Sequence, residues 1–241
     1  MKTIGIIPSR YQSSRLPGKP LALIAGKPMI QRVYEQCLQS NLDEVLVATD
    51  DERIFNTVQQ FGGKVVLTQP QHKNGTERIA EAALHSNADV VVNIQGDEPF
   101  IHPEQINTVL QSFTNDTTPI ATLAKFSADK ILFETDSIVK VVFNKQHHAL
   151  LFSRSAIPFH RGNEVFGFYK HIGIYGFKRT TLLELVQLPA SPLEIKESLE
   201  QLRWLENGYT IKVALTTEES IAVDTPEDLL KAEQYAAKHH L

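Results

Sequence analysis

Short apolar runs alternate with amphipathic stretches along most of this 241-residue chain. The runs have the length and flanking turn residues of buried strands, whereas the longer stretches carry apolar residues at helical spacing. The runs predict strands at 3–7, 44–49, 64–67, 89–95, 120–125, 139–143, 171–177 and 210–215. The amphipathic stretches predict helices at 29–39, 52–61, 76–85, 103–113, 179–187, 192–206 and 226–238.

Two of the predicted helices have clear starting signals. Ser191 and Thr225 are each followed by a proline and, three residues on, by an acid. This order places an N-cap, a first-turn proline and a reciprocal capping acid at each helix start. Gly208 is a suitable C-terminal stop for the helix that begins near Ser191.

The order of the elements predicts the fold class. Alternation of strands and helices in the first half indicates an α/β fold with a mainly parallel central sheet and helices on both faces. The length suits one large α/β domain as well as two small ones, and we predict a single domain over residues 1–241. The segment at about 127–165 departs from the alternation, so we expect a small subdomain inserted in the sheet or packed on it.

Composition narrows the class of protein. An apolar fraction of 42%, a charged fraction of 22% and a pI near 6.1 are typical of an ordinary globular protein and argue against a general nucleic-acid binder. The lone Cys37 excludes an internal disulfide and a cysteine-cluster zinc site. No stretch approaches the roughly 20 apolar residues of a membrane span, so we expect no membrane contact and a cytoplasmic location.

The first loop is unusually basic for a chain with a net charge of -4. It follows the first strand, and ligands of open α/β sheets bind beyond the carboxyl ends of the strands. Hydroxyls, free amides and the cations Arg10, Arg15 and Lys19 suit a polyphosphate. The alternative is a solvated basic loop with no ligand.

Two better-known phosphate loops are excluded. Gly18-Lys19 and Gly26-Lys27 are both followed by proline, so the motif GxxxxGK[ST] is absent. The motif GxGxxG is absent as well, which argues against an ordinary dinucleotide dehydrogenase.

A series of sequence blocks runs along nearly the whole chain: RYQSSRLPGKPL with GKPMI, VATDDERI, NGTERIAEA, VVNIQGDEPFI, VKVV, ALLFSRSAIPF, YKHIGIYGF, SPLEIKESLEQLRWLENG and VDTPEDL. In content and order, these blocks resemble the 3-deoxy-D-manno-octulosonate (Kdo) cytidylyltransferases, or CMP-Kdo synthetases. The resemblance implies a Rossmann-like nucleotidyltransferase fold and a cytoplasmic homodimer. It implies an enzyme that joins CTP to Kdo with Mg²⁺, releasing pyrophosphate, for lipopolysaccharide assembly.

The resemblance also implies roles for individual residues. The expected nucleotide-binding residues are Pro8, Ser9, Arg10, Ser14, Arg15, Lys19, Asn74, Gly75, Arg78 and Gln95. Asp97 and Asp224 are the expected metal ligands, and with Arg10, Arg15 and Lys19 they form the expected catalytic set. The expected sugar-binding residues are Gln95, Arg154, His171, Tyr175, Glu200 and Gln201.

Residue chemistry agrees with these roles but leaves alternatives open. Asp97 follows a predicted strand and offers a hard oxygen ligand, whereas Asp224 could equally be an acid that favours a helix dipole. The stretch around Arg78 could read a pyrimidine edge or a phosphate, or it could simply begin a helix capped by Thr76. Arg154 suits a bidentate carboxylate contact or an ordinary ion pair.

His171 and Tyr175 are four residues apart in a predicted strand, so their side chains share one face. They can line one pocket or merely cap the core. Two alternative activities stay open: the same reaction on the 8-amino analogue of Kdo, and a non-catalytic paralogue that binds nucleotide. A sialic-acid-type cytidylyltransferase and a sugar-1-phosphate nucleotidyltransferase are more distant alternatives.

Overall fold

The computed structural model describes residues 1–13, 15–114, 117–161, 166–219, 221–239 and 241. It divides into two compact units, one made of residues 1–107 and 219–241 and the other of residues 108–218. The predicted α/β fold class is confirmed. Among the described residues, no helix is both long enough and apolar enough to cross a membrane.

The main strands of the first unit are β1 (Thr3–Ser9), β4 (Glu44–Thr49), β5 (Val65–Leu67) and β6 (Val90–Asn93). They form a parallel four-stranded sheet in the order β6-β1-β4-β5. The helices of this unit are α1 (Met29–Leu38), α2 (Glu52–Gln60), α3 (Gly75–Leu84) and α9 (Pro226–His239), and α4 (Pro103–Gln111) leads to the second unit. A continuous apolar run in β1 buries Ile4, Ile6 and Ile7, as expected of a parallel strand covered on both faces.

The basic loop contains short ordered elements that periodicity does not predict. A 3-10 turn occupies Lys19–Leu21, and a two-stranded hairpin joins β2 (Leu23–Ile24) to β3 (Lys27–Pro28). Gly18 begins the turn at φ 71°, a left-handed conformation that glycine adopts without steric cost. Residues 18–28 of the loop are therefore ordered.

The second unit has a mixed sheet. Its strands are β7 (Ile120–Ser127), β8 (Lys140–Phe143), β9 (Ala149–Ser153), β10 (Phe168–Lys178) and β11 (Ile211–Leu215). β11 is parallel to β7, whereas β7, β10, β8 and β9 pair antiparallel in that order. Its helices are α5 (Lys130–Glu134), α6 (Arg179–Leu185), α7 (Pro192–Glu197) and α8 (Glu200–Glu206).

The prediction of one helix over 192–206 is wrong. Ser198 adopts φ 51° and ψ 48°, and this left-handed residue ends α7 before α8 begins at Glu200. The predicted start is confirmed, because the Ser191 side chain accepts from Glu194 N while the Glu194 side chain accepts from Ser191 N. Gly208 follows α8 at φ 82°, as its predicted role as a stop requires.

Two further details differ from the sequence prediction. α3 is capped by Asn74, whose side chain accepts from Glu77 N, and not by Thr76. The irregular segment at 127–165 holds α5, β8 and β9, of which α5 and β9 were not predicted. Residues 162–165 of that segment lie outside the described residues.

Candidate active site

Three segments of the first unit converge on Pro8 at the carboxyl end of β1. A Cβ atom on Gly75, at the start of α3, would lie 3.2 Å from Pro8 Cγ. A Cβ on Gly96, just after β6, would lie 3.1 Å from the Pro8 carbonyl oxygen and 3.0 Å from Ser9 Oγ. Glycine leaves room for such close approaches, so these positions bring the β1 loop, the α3 start and the β6 exit together.

A cavity of about 340 Å³ opens at this point. It is lined by Pro8, Ser9, Arg10, Gln12, Ser13, Arg15, Lys19, Pro20, Gln95, Gly96 and Asp97. Most of the expected nucleotide residues are among them. Ser14 lies outside the described residues, but Ser13 and Gln12 line the cavity without having been predicted. The buried Ser9 hydroxyl has no hydrogen-bond partner among the described residues, so it is available to a ligand.

Lys19 joins two carboxylates that are far apart in sequence. Its Nζ donates to Asp97 Oδ2 at 2.7 Å and to Asp224 Oδ1 at 3.0 Å. Arg15 Nη2 lies 3.1 Å from Asp224 Oδ2. Burial alone would lower the pKa of Lys19, but Asp97 and then Asp224 outweigh it, so the pKa of Lys19 is raised.

Packing explains why Asp224 lies beside Asp97. Val223 is fully buried in an apolar cluster with Ile24, Met29 and Phe100, and residues of α9 complete this cluster. Val223 N also donates to the Asp97 backbone oxygen at 2.8 Å. The burial of Val223 and its hydrogen bond to Asp97 therefore hold the next residue, Asp224, close to Asp97.

The helix that follows Asp224 is capped as predicted. Thr225 Oγ1 donates to Asp228 Oδ2 at 2.8 Å, and Asp228 N donates to Thr225 Oγ1 at 3.2 Å. Asp224 therefore lies just before the capping pair, with its carboxylate engaged by Lys19 and Arg15. The Asp224 carboxylate is thus held by cations of the basic loop, and its metal role stays a prediction.

The pair Asp97 and Asp224 fits a divalent cation of the magnesium type. Two carboxylate oxygens already converge on one cation, the Lys19 ammonium, beside the cavity. Mg²⁺ is commonly held by one or two carboxylates together with substrate phosphates and water. The described residues contain no larger cluster of His, Cys, Asp and Glu suited to a metal.

Other expected nucleotide residues take different positions. Arg10 Nη2 donates to the Lys73 backbone oxygen at 2.9 Å, next to the α3 start. Arg78 is fully buried, and its guanidinium donates to Thr68 Oγ1 and to Asp50 Oδ2. This placement favours a structural role for Arg78, and its contact with the nucleotide stays a prediction.

Tyr11 supports the basic loop through a contact that the sequence does not reveal. Gly18 N donates to the Tyr11 backbone oxygen at 2.9 Å, and a Cβ on Gly18 would meet the Tyr11 ring at 3.1 Å. The Arg53 guanidinium carbon lies 3.3 Å from the ring centroid. Asp51 holds that guanidinium through Nε at 2.9 Å and Nη2 at 2.6 Å. Arg53 is 42 residues from Tyr11 in sequence, so no local pattern indicates the contact.

In the second unit, His171 and Tyr175 lie together on β10 with ring centroids 5.3 Å apart. Residues 173 and 174 form a bulge between His171 and Tyr175. Because the bulge adds two residues, both side chains still point to the same face of the sheet, as predicted. Burial lowers the pKa of His171 to about 3, so its ring is neutral near pH 7. Burial and the nearby Glu200 carboxylate raise the pKa of Tyr175.

Arg154 follows β9 and is held by several hydrogen bonds. Its backbone N donates to Glu197 Oε2 at 2.9 Å, and its Nε donates to the Glu197 backbone oxygen at 2.8 Å. Lys140, whose side chain is buried, donates to the Arg154 backbone oxygen at 2.6 Å. Lys140 and Glu197 thus hold Arg154 in place through these hydrogen bonds, and neither residue was predicted to belong to the site.

The remaining expected sugar residues lie on α8. Glu200 Oε1 accepts from Arg203 Nη2 at 2.7 Å, and Gln201 is largely buried. The structure therefore groups His171, Tyr175 and Glu200 in the second unit, while Gln95 belongs to the first-unit cavity.

Comparison with known proteins identifies the family. The cytidylyltransferase family matches residues 4–219. A 3-deoxy-manno-octulosonate cytidylyltransferase of Parabacteroides distasonis is 56% identical, over 98% of this chain and 99% of that protein. This chain belongs to the 3-deoxy-manno-octulosonate cytidylyltransferase family. The relative of the same name from Fusobacterium nucleatum is 48% identical over 100% of this chain and 99% of its own.

Solved structures agree with this assignment. The cytidylyltransferase described here superposes on a CMP:2-keto-3-deoxy-manno-octonic acid synthetase complexed with CTP, with a TM-score of 0.96 and 44% identity. The match covers 99% of this chain and 100% of that one. A putative glucose-1-phosphate thymidylyltransferase of Bacillus anthracis, with a TM-score of 0.68 at 18% identity, shares the fold alone. The predicted nucleotidyltransferase fold and family are thus confirmed.

Proposed function

We propose that this enzyme transfers CMP from CTP to Kdo and releases pyrophosphate. The observation that carries the proposal is the convergence of Lys19 with Asp97 and Asp224 beside the β1 cavity. That cavity belongs to a chain that matches 3-deoxy-manno-octulosonate cytidylyltransferases over nearly its whole length. The reaction is a displacement at the α-phosphorus: the 2-hydroxyl oxygen of Kdo forms the new bond, and the bond to pyrophosphate breaks.

The basic loop would bind the triphosphate. Arg10 and Arg15 offer planar guanidinium groups for phosphate oxygens, and Lys19 supplies a point charge. These cations would stabilise the charge that develops on pyrophosphate as it leaves. The Ser9 hydroxyl and the backbone amides of the loop can add hydrogen bonds to the phosphates.

Asp97 and Asp224 would hold the Mg²⁺ that we propose as cofactor. When bound, the ion supplies charge neutralisation on the phosphates and lowers the pKa of a coordinated hydroxyl. Lys19 would then direct its ammonium group to phosphate oxygens. No covalent intermediate with the enzyme is needed for this reaction.

Kdo binding is assigned to Arg154, His171, Tyr175, Glu200, Gln201 and Gln95. Arg154 offers a guanidinium for the sugar carboxylate, and its backbone is fixed by Lys140 and Glu197. Glu200 and Gln201 offer groups for hydroxyls. Use of the product in lipopolysaccharide assembly belongs to the same proposal. So does a cytoplasmic location, because the reaction consumes a nucleoside triphosphate.

We also propose a homodimer formed through the segment 127–165. This segment exposes large apolar side chains, with Ile131 at 78%, Leu150 at 63% and Phe159 at 86% exposure. Such side chains are commonly covered in an interface. The measurement is sedimentation of the purified protein, compared with Leu150→Asp; an unchanged mass in that variant argues against this interface. The single-domain organisation stays a prediction.

Pyrophosphate release with CTP and Mg²⁺ tests the function. Kdo, its 8-amino analogue and a sialic acid are offered in parallel, and we expect turnover with Kdo to dominate. Dominant turnover of the amino analogue would retain the mechanism and change the substrate. No release with any acceptor, while CTP still binds, would indicate a non-catalytic nucleotide-binding protein.

A further inference from the structure

Thr122 contacts three polar groups of β10 at once. Its side chain is fully buried on β7, opposite the two-residue bulge that separates Ile172 from Tyr175. Thr122 Oγ1 lies 2.8 Å from the Ile174 backbone oxygen, 3.2 Å from the Ile172 backbone oxygen and 3.0 Å from His171 Nε2. None of the assigned sugar-binding or nucleotide-binding positions includes this residue.

Counting donors decides which nitrogen of His171 carries the proton. A threonine hydroxyl has one hydrogen to donate and two lone pairs to accept. The two carbonyl oxygens can only accept, so the Thr122 hydrogen is used on one of them, and Ile174 is the closer. Of these three partners, only the His171 ring can donate. The Tyr175 hydroxyl also faces Thr122, and it can donate to the second lone pair of Oγ1 without displacing the His171 contact. If Thr122 donated its hydroxyl hydrogen to Nε2 instead, neither the Ile172 nor the Ile174 carbonyl oxygen would receive a hydrogen bond from Thr122.

A neutral ring that is protonated on Nε2 has a bare Nδ1. Among the described residues, no hydrogen bond to His171 Nδ1 is found. The ring packs against Phe152 at 5.1 Å and Tyr175 at 5.3 Å between ring centroids. Burial keeps the ring neutral near pH 7 by lowering the pKa of His171 to about 3. Nδ1 is therefore a hydrogen-bond acceptor at a fixed position.

We infer that Thr122 is a positioning residue, which locks His171 in the Nε2–H tautomer so that Nδ1 accepts a hydrogen bond from a hydroxyl of the sugar acid. The sugar contact rests on the proposed function, whereas the tautomer does not. A neutral acceptor suits a hydroxyl and not a carboxylate, which would receive nothing from Nδ1. The sugar carboxylate accordingly belongs to a cationic group such as Arg154.

The tautomer is measured directly by NMR of protein labelled with ¹⁵N-histidine, with the His171 signals assigned by their loss in His171→Asn. The matched variants are Thr122→Val, which removes the hydroxyl at nearly constant shape, and Thr122→Ser, which keeps it. Wild type and Thr122→Ser should show a protonated Nε2 and a bare Nδ1. Thr122→Val should shift toward the Nδ1–H form, because the buried Nε2–H loses its acceptor.

Kinetics supplies the second readout. In Thr122→Val, the KM for Kdo should rise about tenfold while the KM for CTP stays within about twofold. Thr122→Ser should restore the wild-type KM for Kdo. A merely structural role would alter stability and both KM values without changing the tautomer.

Three outcomes overturn the inference or a part of it. A wild-type spectrum that shows Nδ1–H rejects the proposed tautomer, and this measurement does not depend on whether any variant folds. A Thr122→Val spectrum identical to that of wild type rejects the role of Thr122. The Nε2–H tautomer in a wild-type protein that does not turn over Kdo retains the lock and rejects the proposed function together with the sugar contact.

Discussion

Lys19 Nζ lies 2.7 Å from Asp97 Oδ2 and is thus a cation at the position that we assign to the metal. The same ammonium contacts Asp224 at 3.0 Å, so it neutralises two carboxylates that would otherwise repel each other. Metal and triphosphate binding would then exchange the partners of Lys19, with the carboxylates passing to the metal and the ammonium to the phosphates.

Removal of one carboxylate should remove most of the activity. In Asp97→Asn we expect an intact fold and a loss of about a thousandfold in turnover, because the proposed metal loses a charged ligand. Glu227→Gln, an exposed acid three residues from Asp224, is the control for the change in net charge. Near-normal turnover of Asp97→Asn at saturating Mg²⁺ would disprove the metal assignment.

Removal of the lysine should have opposite effects on metal binding and on turnover. In Lys19→Met, the two carboxylates lose their internal cation, so Mn²⁺ should bind the nucleotide-free protein roughly tenfold more tightly. Turnover should fall, since the triphosphate loses a cation. Calorimetry or electron paramagnetic resonance gives the affinity.

The control for that experiment is Lys27→Met. Lys27 is also paired with a carboxylate, Glu35 at 2.8 Å, but the pair is exposed and does not line the cavity. Equal Mn²⁺ affinity in wild type, Lys27→Met and Lys19→Met would contradict the exchange of partners.

Arg53 should affect CTP binding without touching CTP. In Arg53→Ala, the Tyr11 ring loses its cation contact, and we expect the KM for CTP to rise roughly two- to fivefold with a smaller change in kcat. Tyr11→Leu and the double variant should give the same rise and not the sum, because both changes remove one contact.

Lys64→Ala is the matched control for Arg53→Ala. Lys64 is an exposed cation paired with Glu44 at 2.8 Å, and it lies outside the cavity lining. Additive effects of Tyr11→Leu and Arg53→Ala on the KM for CTP would show that the two residues act separately.

His171 should make the protein less stable at mild acid pH. Its pKa falls from 6.5 to about 3 on folding, so the unfolded chain binds the proton more tightly and stability decreases as pH falls through 6.5 toward 3. At pH 5 the expected contribution is about 2 kcal/mol relative to pH 7.5. For a chain of this size, that is a decrease of roughly 4–8 °C in Tm.

The comparison is between wild type and His171→Gln, by thermal unfolding at both pH values. His171→Gln cannot titrate in this range, so its Tm should fall less between pH 7.5 and pH 5. Parallel decreases in the two proteins would show that His171 is not the group responsible.

The hydrophobic pattern determined much of the first unit. The runs at β1, β4 and β6 and the amphipathic helices after them follow from local periodicity, which tertiary contacts reinforce. Local rules failed where a single backbone conformation decides the outcome. Ser198 takes a left-handed conformation that its residue type does not predict, and it divides the helix expected at 192–206.

Motif chemistry and family resemblance together named the basic loop, Asp97 and Asp224 as parts of one site. That Lys19 bridges the two carboxylates depends on the burial of Val223 and its hydrogen bond to Asp97, across a separation of more than a hundred residues. The sequence likewise could not show that Arg78 is buried, with its guanidinium bonded to Thr68 and Asp50.

The sequence by itself determined the α/β class, the basic loop after β1 and the residue types of the site, because these depend on periodicity and on side-chain chemistry. Only the tertiary structure decided which of those side chains meet. The Tyr11–Arg53 contact and the Thr122–His171 contact join residues 42 and 49 positions apart. Such contacts are set by strand register and by packing across the fold, which no local stretch of the chain encodes.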